Sequence, residues 1–193
     1  MNNFPLEHFI DHIVSLTPSI KQEFLNLFQA VDIGKKQHLT RYEDRAKKIA
    51  YIQQGILRGY YVNPVGEEVT TNFFVAPTFA ADYSSYLQNL PVRMNIQVLT
   101  PSVLLVSDLD NLNVLSEKHV IINKFYRVIV ERAFAFQQER QVSFILNSAT
   151  ERYLQLIKDR KQIFEEIPQH YIASYLGIKP QSLSRIRKNL AKG

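Results

Sequence analysis

Apolar and polar positions change rhythm several times along the chain, and each change predicts a different kind of element. Between Leu6 and Val31 the apolar residues Phe9, Ile13 and Leu16, then Phe24, Leu27 and Phe28, recur at helical spacing, and Pro18 interrupts them. Two short amphipathic helices are expected there. From Gln37 to Asp108 the period drops to two. Arg93 to Leu99 alternates strictly, with Met94, Ile96 and Val98 on one face and Arg93, Asn95 and Gln97 on the other. Val62 and Val69 flank the turn-like Asn63-Pro64-Val65-Gly66, and Gly55, Gly59, Pro77, Pro91 and Pro101 punctuate the rest. Such a stretch predicts antiparallel strands in a compact β-roll or barrel, with a helical turn between Ala80 and Leu90.

Asn111 to Leu146 contains neither Gly nor Pro and predicts one long helix. Ile122, Ile129 and Phe136 recur every seven residues, thickened by Phe125, Val128 and Ala133. That stripe suits pairing with the same helix of a second copy, and it also suits docking on the chain's own β-region. Ser148 with Glu151 three residues on is a capping-box pattern that opens a further helix to about Lys161.

The window from Gln169, QHYIASYLGIKPQSLSRIRK, satisfies the demands of two helices crossing at a tight turn. Ala173 is the small residue at the crossing, and Gly177 supplies the left-handed turn. Ile172, Leu176, Ile178, Leu183 and Ile186 face a shared core, while Pro168 and Pro180 suit the first turns of the two helices. The second helix exposes Gln181, Ser182, Ser184, Arg185 and Lys188. Arginine pairs bidentately with guanine, glutamine with adenine, and hydroxyls and lysine reach phosphates. Gln169, at the head of the first helix, and Lys179, where a capping Ser or Thr is absent, complete the DNA-facing set. An ordinary helix hairpin ending a core is the competing reading.

Charge strengthens the DNA reading. Lys158 to Gly193 carries eight basic residues against three acidic, a surplus of five equal to the net charge of the whole chain. The attraction to phosphates is therefore concentrated in the last fifth of the sequence. With 46% hydrophobic and 21% charged residues the composition is that of a globular protein. The absence of cysteine excludes disulfides, Cys-ligated metals and cysteine nucleophiles. No apolar run approaches the length of a membrane span and no leader pattern opens the chain, so a cytoplasmic protein without a membrane partner is expected. His8 and His12, one helical turn apart beside Glu7 and Asp11, have a spacing that can ligate a metal, yet the sequence places no third ligand and a solvated helix face accounts for them. Neither a metal nor an enzyme activity is expected.

The order of helical lead-in, β-roll, long helix and helix-turn-helix resembles the Crp/Fnr family of bacterial transcription regulators. The resemblance is strongest in IASYLGIKPQSLSRIRKNL and in IAYIQQGILRGYYVNPVGEEVTTNFF. It implies an α+β fold: N-terminal helices with an antiparallel, double-stranded β-helix type of roll as sensor over 1–110, a long dimerisation helix over 111–146, and a winged helix-turn-helix over 147–193. It implies a homodimer interface through Ile122, Phe125, Ile129 and Phe136, and duplex DNA and RNA polymerase as partners. The wing strands would have to come from Lys158 to Ile167.

The family's nucleotide-binding members hold the ribose with a Gly-Glu pair and the phosphate with Arg-Ser or Arg-Thr. The corresponding cassette here reads APTFAADYSSYLQNLPVRMNIQV, with Ala81-Asp82 in place of the first pair and Val92-Arg93 in place of the second. A one-residue displacement in a strand turns a side chain to the opposite face, so Arg93 should point away from the pocket unless a bulge corrects it. The cassette disfavours cyclic AMP. Asp82, Tyr83, Ser84 and Arg93 are the residues expected to line a site for another small effector, if the roll takes one. A regulatory protein that acts through protein contacts without DNA is the alternative.

Overall fold

The computed structural model describes residues 4–191, which form two compact units. The first comprises residues up to Gly59 together with Phe73–Ala133, and the second comprises Tyr60–Asn72 together with the chain from Phe134 onward. Lys192 of the basic tail lies outside the described residues.

Helices α1 (Leu6–Asp11) and α2 (Pro18–Leu25) open the chain, as the interrupted apolar spacing predicts. Thr17 caps α2 by accepting from the Ile20 amide, and Pro18 takes the first helical position. Strands β1 (Gln29–Ile33), β2 (His38–Thr40), β3 (Lys48–Gln54), β4 (Ile56–Val62), β5 (Glu68–Val75), β6 (Thr78–Ala81), β7 (Asn95–Val98) and β8 (Ser102–Asp108) follow, with the short helix α3 (Tyr83–Leu87) between β6 and β7. They make two four-stranded sheets, ordered β1-β8-β3-β6 and β2-β7-β4-β5. The β3–β4 turn depends on Gly55 at φ +104°, where a Cβ would stand 2.0 Å from Ser102 Oγ.

Strand β3 shows how the first unit is built. Its alternate residues Ala50 and Ile52 join Leu39, Leu57, Ala80, Ile96, Val98 and Leu104 in a core fed by both sheets. Its other residues, Ile49 and Tyr51, face a second core shared with Leu6, Ile10, Val14 and Phe24 of the N-terminal segment. Both faces of β3 are therefore buried, which replaces alternation by a continuous apolar run.

The expected single helix over 111–146 is instead two, α4 (Leu109–Lys118) and α5 (Val120–Leu146). His119 breaks it with extended dihedrals, φ −129° and ψ 108°. Its amide closes α4 on the Leu115 carbonyl while its own carbonyl accepts from the Ile122 and Asn123 amides of α5. The side chains of Lys118 and His119 both reach Glu23 of α2, at 2.5 and 3.0 Å, which anchors the break.

The heptad stripe also requires correction. Ile122 and Phe125 are 0% and 2% exposed within the first unit's outer core, and Ile129 packs against the same cluster. They share that cluster with Leu6, Ile10, Phe24 and Leu112 of the same chain, so Ile122 and Phe125 are not available to a second copy, while Ile129 is half-buried. Phe136, in the second unit, lies half-buried beneath the Arg160 guanidinium, 4.5 Å from its ring centre.

In the second unit α6 (Ala149–Asp159) begins with the expected capping box, Ser148 amide to Glu151 at 2.7 Å and Glu151 amide to Ser148 at 3.3 Å. The Ser148 amide, then the Ser148 hydroxyl, hold the Glu151 carboxyl below its ordinary range. The segment from which wing strands were expected is helical: α7 spans Gln162–Glu166. Ile163 within α7 and Ile167 at its C-cap are both buried, and the Ile167 amide closes the helix on the Ile163 carbonyl at 3.0 Å. Two further helices, α8 (Gln169–Tyr175) and α9 (Pro180–Leu190), end the unit. Among the described residues no helix is long and apolar enough to cross a membrane.

Candidate nucleic-acid interface

The site is built on how α8 ends. Gly177 takes φ +70°, its amide donates to Ser174 O at 3.0 Å, and the Ile178 amide donates to Ala173 O at 3.0 Å. This pair of bonds is a Schellman motif, which stops α8 and turns the chain sharply. Ile172, Ala173, Leu176 and Leu183 are buried at the crossing of the two helices. Lys179 stands at the N-cap of α9 with extended dihedrals and no side-chain capping bond, and Pro180 follows at the first helical position.

On α9 the polar and apolar residues separate cleanly. Leu183 is buried and Ile186 half-buried on the inner face, while Gln181, Ser184, Arg185 and Lys188, at i, i+3, i+4 and i+7, are exposed on the opposite one. Ser182 is half-buried at the flank. Gln169 is exposed at the start of α8, and Lys179 is exposed beside the turn. Six of the seven DNA-facing candidates are thus exposed within this helix pair, and four of them share one face. Arg187 and Lys188 occupy the last turn of α9, where positive charge also complements the helix dipole.

Three groups that the sequence reading passed over hold the turn. The Schellman bonds leave the carbonyls of Tyr175 and Leu176 without helical donors. Arg140 Nη2 of α5 donates to Tyr175 O at 2.9 Å, and Arg152 of α6 donates to Leu176 O through Nη2 at 3.0 Å and Nε at 3.3 Å. Both guanidinium groups lie over the Phe144 ring, at 4.6 and 4.5 Å from its centre. Burial lowers the Arg140 pKa below its ordinary value. On the other side of α8, the Ser174 hydroxyl accepts from the Thr70 amide at 2.9 Å and donates to the Glu68 carbonyl at 3.3 Å, both on β5.

The effector cassette is arranged differently from its expected lining. Asp82 is buried, and its carboxylate caps α3 by accepting from the Ser85 amide at 3.4 Å, then accepts from the Arg93 and Met94 amides at 2.8 and 2.9 Å. Its oxygens serve the backbone. Arg93 lies ahead of β7 and not within it, and its Nε donates to the buried Ser85 hydroxyl at 3.3 Å. Ser84 is exposed and accepts from Gln88, and Tyr83 stacks on Tyr86. Tyr86 donates to Asp110 at 3.0 Å and accepts from Asn113 at 2.7 Å, linking α3 to α4. Burial and the Asp110 carboxylate push the Tyr86 pKa up to about 12. Lys47, then Tyr86, hold Asp110 below the carboxylate range. His12 Nδ1 lies 2.6 Å from the His8 carbonyl, and no metal-holding group of three ligand-type residues occurs among the described residues.

The β-roll, the helix that follows it and the terminal helices share the fold of solved structures that include a Crp/Fnr-family regulator, over most of the chain. A regulator described as a Crp/Fnr-family transcriptional regulator from Eubacterium rectale superposes with a TM-score of 0.74 at 14% identity, over 100% of this chain and 89% of its own. FixK2 from Bradyrhizobium japonicum gives 0.72 at 12% identity, covering 86% and 85%. CLP from Xanthomonas campestris, described as a c-di-GMP responsive global regulator, gives 0.69 at 14% identity, covering 91% and 92%. No family model and no curated protein matches the sequence. CLP and the Eubacterium rectale protein are both regulators by description.

Proposed function

We propose that this protein is a cytoplasmic, homodimeric transcription regulator that reads a palindromic duplex site with α9. The observation that carries the reading is the α8–α9 pair: a Schellman turn at Gly177 followed by a helix whose open face bears Gln181, Ser184, Arg185 and Lys188. Residues 1–110 would sense, 111–146 pair and 147–193 bind DNA, with the two copies of α9 about 34 Å apart in successive major grooves. Lys179 and Gln169 would approach phosphates, and RNA polymerase is the downstream partner.

Burial of Ile122 and Phe125 leaves the opposite side of α5 for pairing. There Val120 and Phe134, 86% and 63% exposed, share a stripe with Arg127 and Gln141 at seven-residue spacing. Cyclic AMP is not the proposed effector. The buried Asp82 carboxylate is occupied by three amides, which takes it from a ribose, and Arg93 lies ahead of β7 with its Nε turned to Ser85.

Selection of the preferred duplex from a random pool, in rising salt and with or without cyclic AMP, tests this reading. A palindromic consensus, an affinity that falls steeply with salt and no response to cyclic AMP are expected. Weak binding that is indifferent to sequence would instead favour a regulator acting through protein contacts.

A further inference from the structure

Arg140, Phe144 and Arg152 converge on one spot from two helices, and that spot is the turn ahead of α9. Every carbonyl at the end of α8 can be accounted for. Ala173 and Ser174 accept from Ile178 and Gly177, and the two that remain, on Tyr175 and Leu176, accept from Arg140 and Arg152. The negative end of the α8 dipole thus meets two cations. Arg152 also donates through Nη1 to the Asn147 carbonyl at 2.6 Å, so one planar guanidinium joins the end of α5 to the end of α8. Phe144 forms the floor. A Cβ on Gly177 would stand 2.7 Å from Phe144 Cε1, so the turn rests directly on the ring.

We infer that Arg140, Phe144 and Arg152 form a seat that fixes the direction of α9, and hence which base edges it meets, without contacting DNA themselves. The inference rests on the DNA-reading proposal. A helix aimed by its preceding turn swings if that turn loosens, and base readout needs bidentate geometry, whereas phosphate attraction tolerates a swing. The three are therefore positioning residues whose loss separates sequence preference from general affinity.

The test uses the full chain with Arg152→Ala and Phe144→Leu. Phe144→Leu keeps an apolar floor and removes the ring face on which both guanidinium groups stack. Without DNA, amide exchange at Gly177 and Ile178 should rise about tenfold or more in each variant while amides in the middle of α6 stay protected. With DNA, the ratio of affinities for the selected duplex and a random one should fall about tenfold while the slope of log affinity against log salt stays at the wild-type value. If Arg152→Ala unfolds the unit, protection is lost throughout α6 and α8, and Phe144→Leu decides alone. An unchanged ratio overturns the inference. So does equal loss for both duplexes with a slope reduced by about one, since that marks a direct phosphate contact. Should wild-type protein show no sequence preference, the DNA reading fails, and the exchange arm still decides whether the seat holds the turn.

Discussion

Single side chains separate what reads from what supports. Arg185 and Lys188 share the open face of α9, but they carry different chemistry. Arg185→Ala should cost roughly 1–3 kcal/mol per half-site and relax preference at one base pair. Lys188→Ala should weaken selected and random duplexes alike and lower the salt slope, and titrations of both variants at several salt concentrations distinguish the two outcomes. Asp82 shows the supporting kind of residue. Its carboxylate accepts three backbone amides in a buried position, so Asp82→Ala should leave them unpaired and destabilise the fold by roughly 3 kcal/mol in urea unfolding. The sequence makes this residue look like a ligand contact because its place in the cassette is occupied by a binding residue in the family it resembles. Only the folded backbone shows that its oxygens are already taken.

Elements were legible to the extent that their determinants are local. The Ser148–Glu151 box, the Gly177 turn and the apolar face of α9 each lie within a few residues, and each forms as its spacing predicts. The break at His119 lacks Gly or Pro and is anchored by Glu23, 96 residues earlier, so no local pattern announces it. Arg140 and Arg152 serve carbonyls 35 and 24 residues downstream and read in sequence as ordinary exposed charges. The heptad stripe gives the buried face of α5 but not what buries it. That distinction yields an expectation for α5: Phe134→Glu should convert a dimer to a folded monomer in sedimentation, whereas Ile122→Glu, placing a charge in the core, should unfold the first unit.

At the scale of the molecule, stability in acid should depend on a few paired carboxylates. Glu23 is held below the ordinary carboxylate range by Lys118 and then His119. A depressed folded pKa contributes stability that is present above the unfolded value and is lost as pH falls through the folded one. Denaturation midpoints should therefore drop as pH falls below about 4.5, the ordinary glutamate value, and through the lower folded one, and Glu23→Gln should start lower and show a smaller drop. The strand character of the roll was legible from Gly and Pro punctuation, although Asn95, expected on the outer face of β7, is buried beside Ile96, and the division of the chain into units was not legible, because residues 60–72 of the roll group with the terminal helices. In that group Ser174 has a role beyond orientation. Strand β5 is the outermost of its sheet, and the amide of Thr70 with the carbonyl of Glu68 is the pairing edge it would offer to a foreign strand. One hydroxyl occupies both groups, so the contact that docks α8 also withdraws this pair from edge-to-edge pairing with another chain.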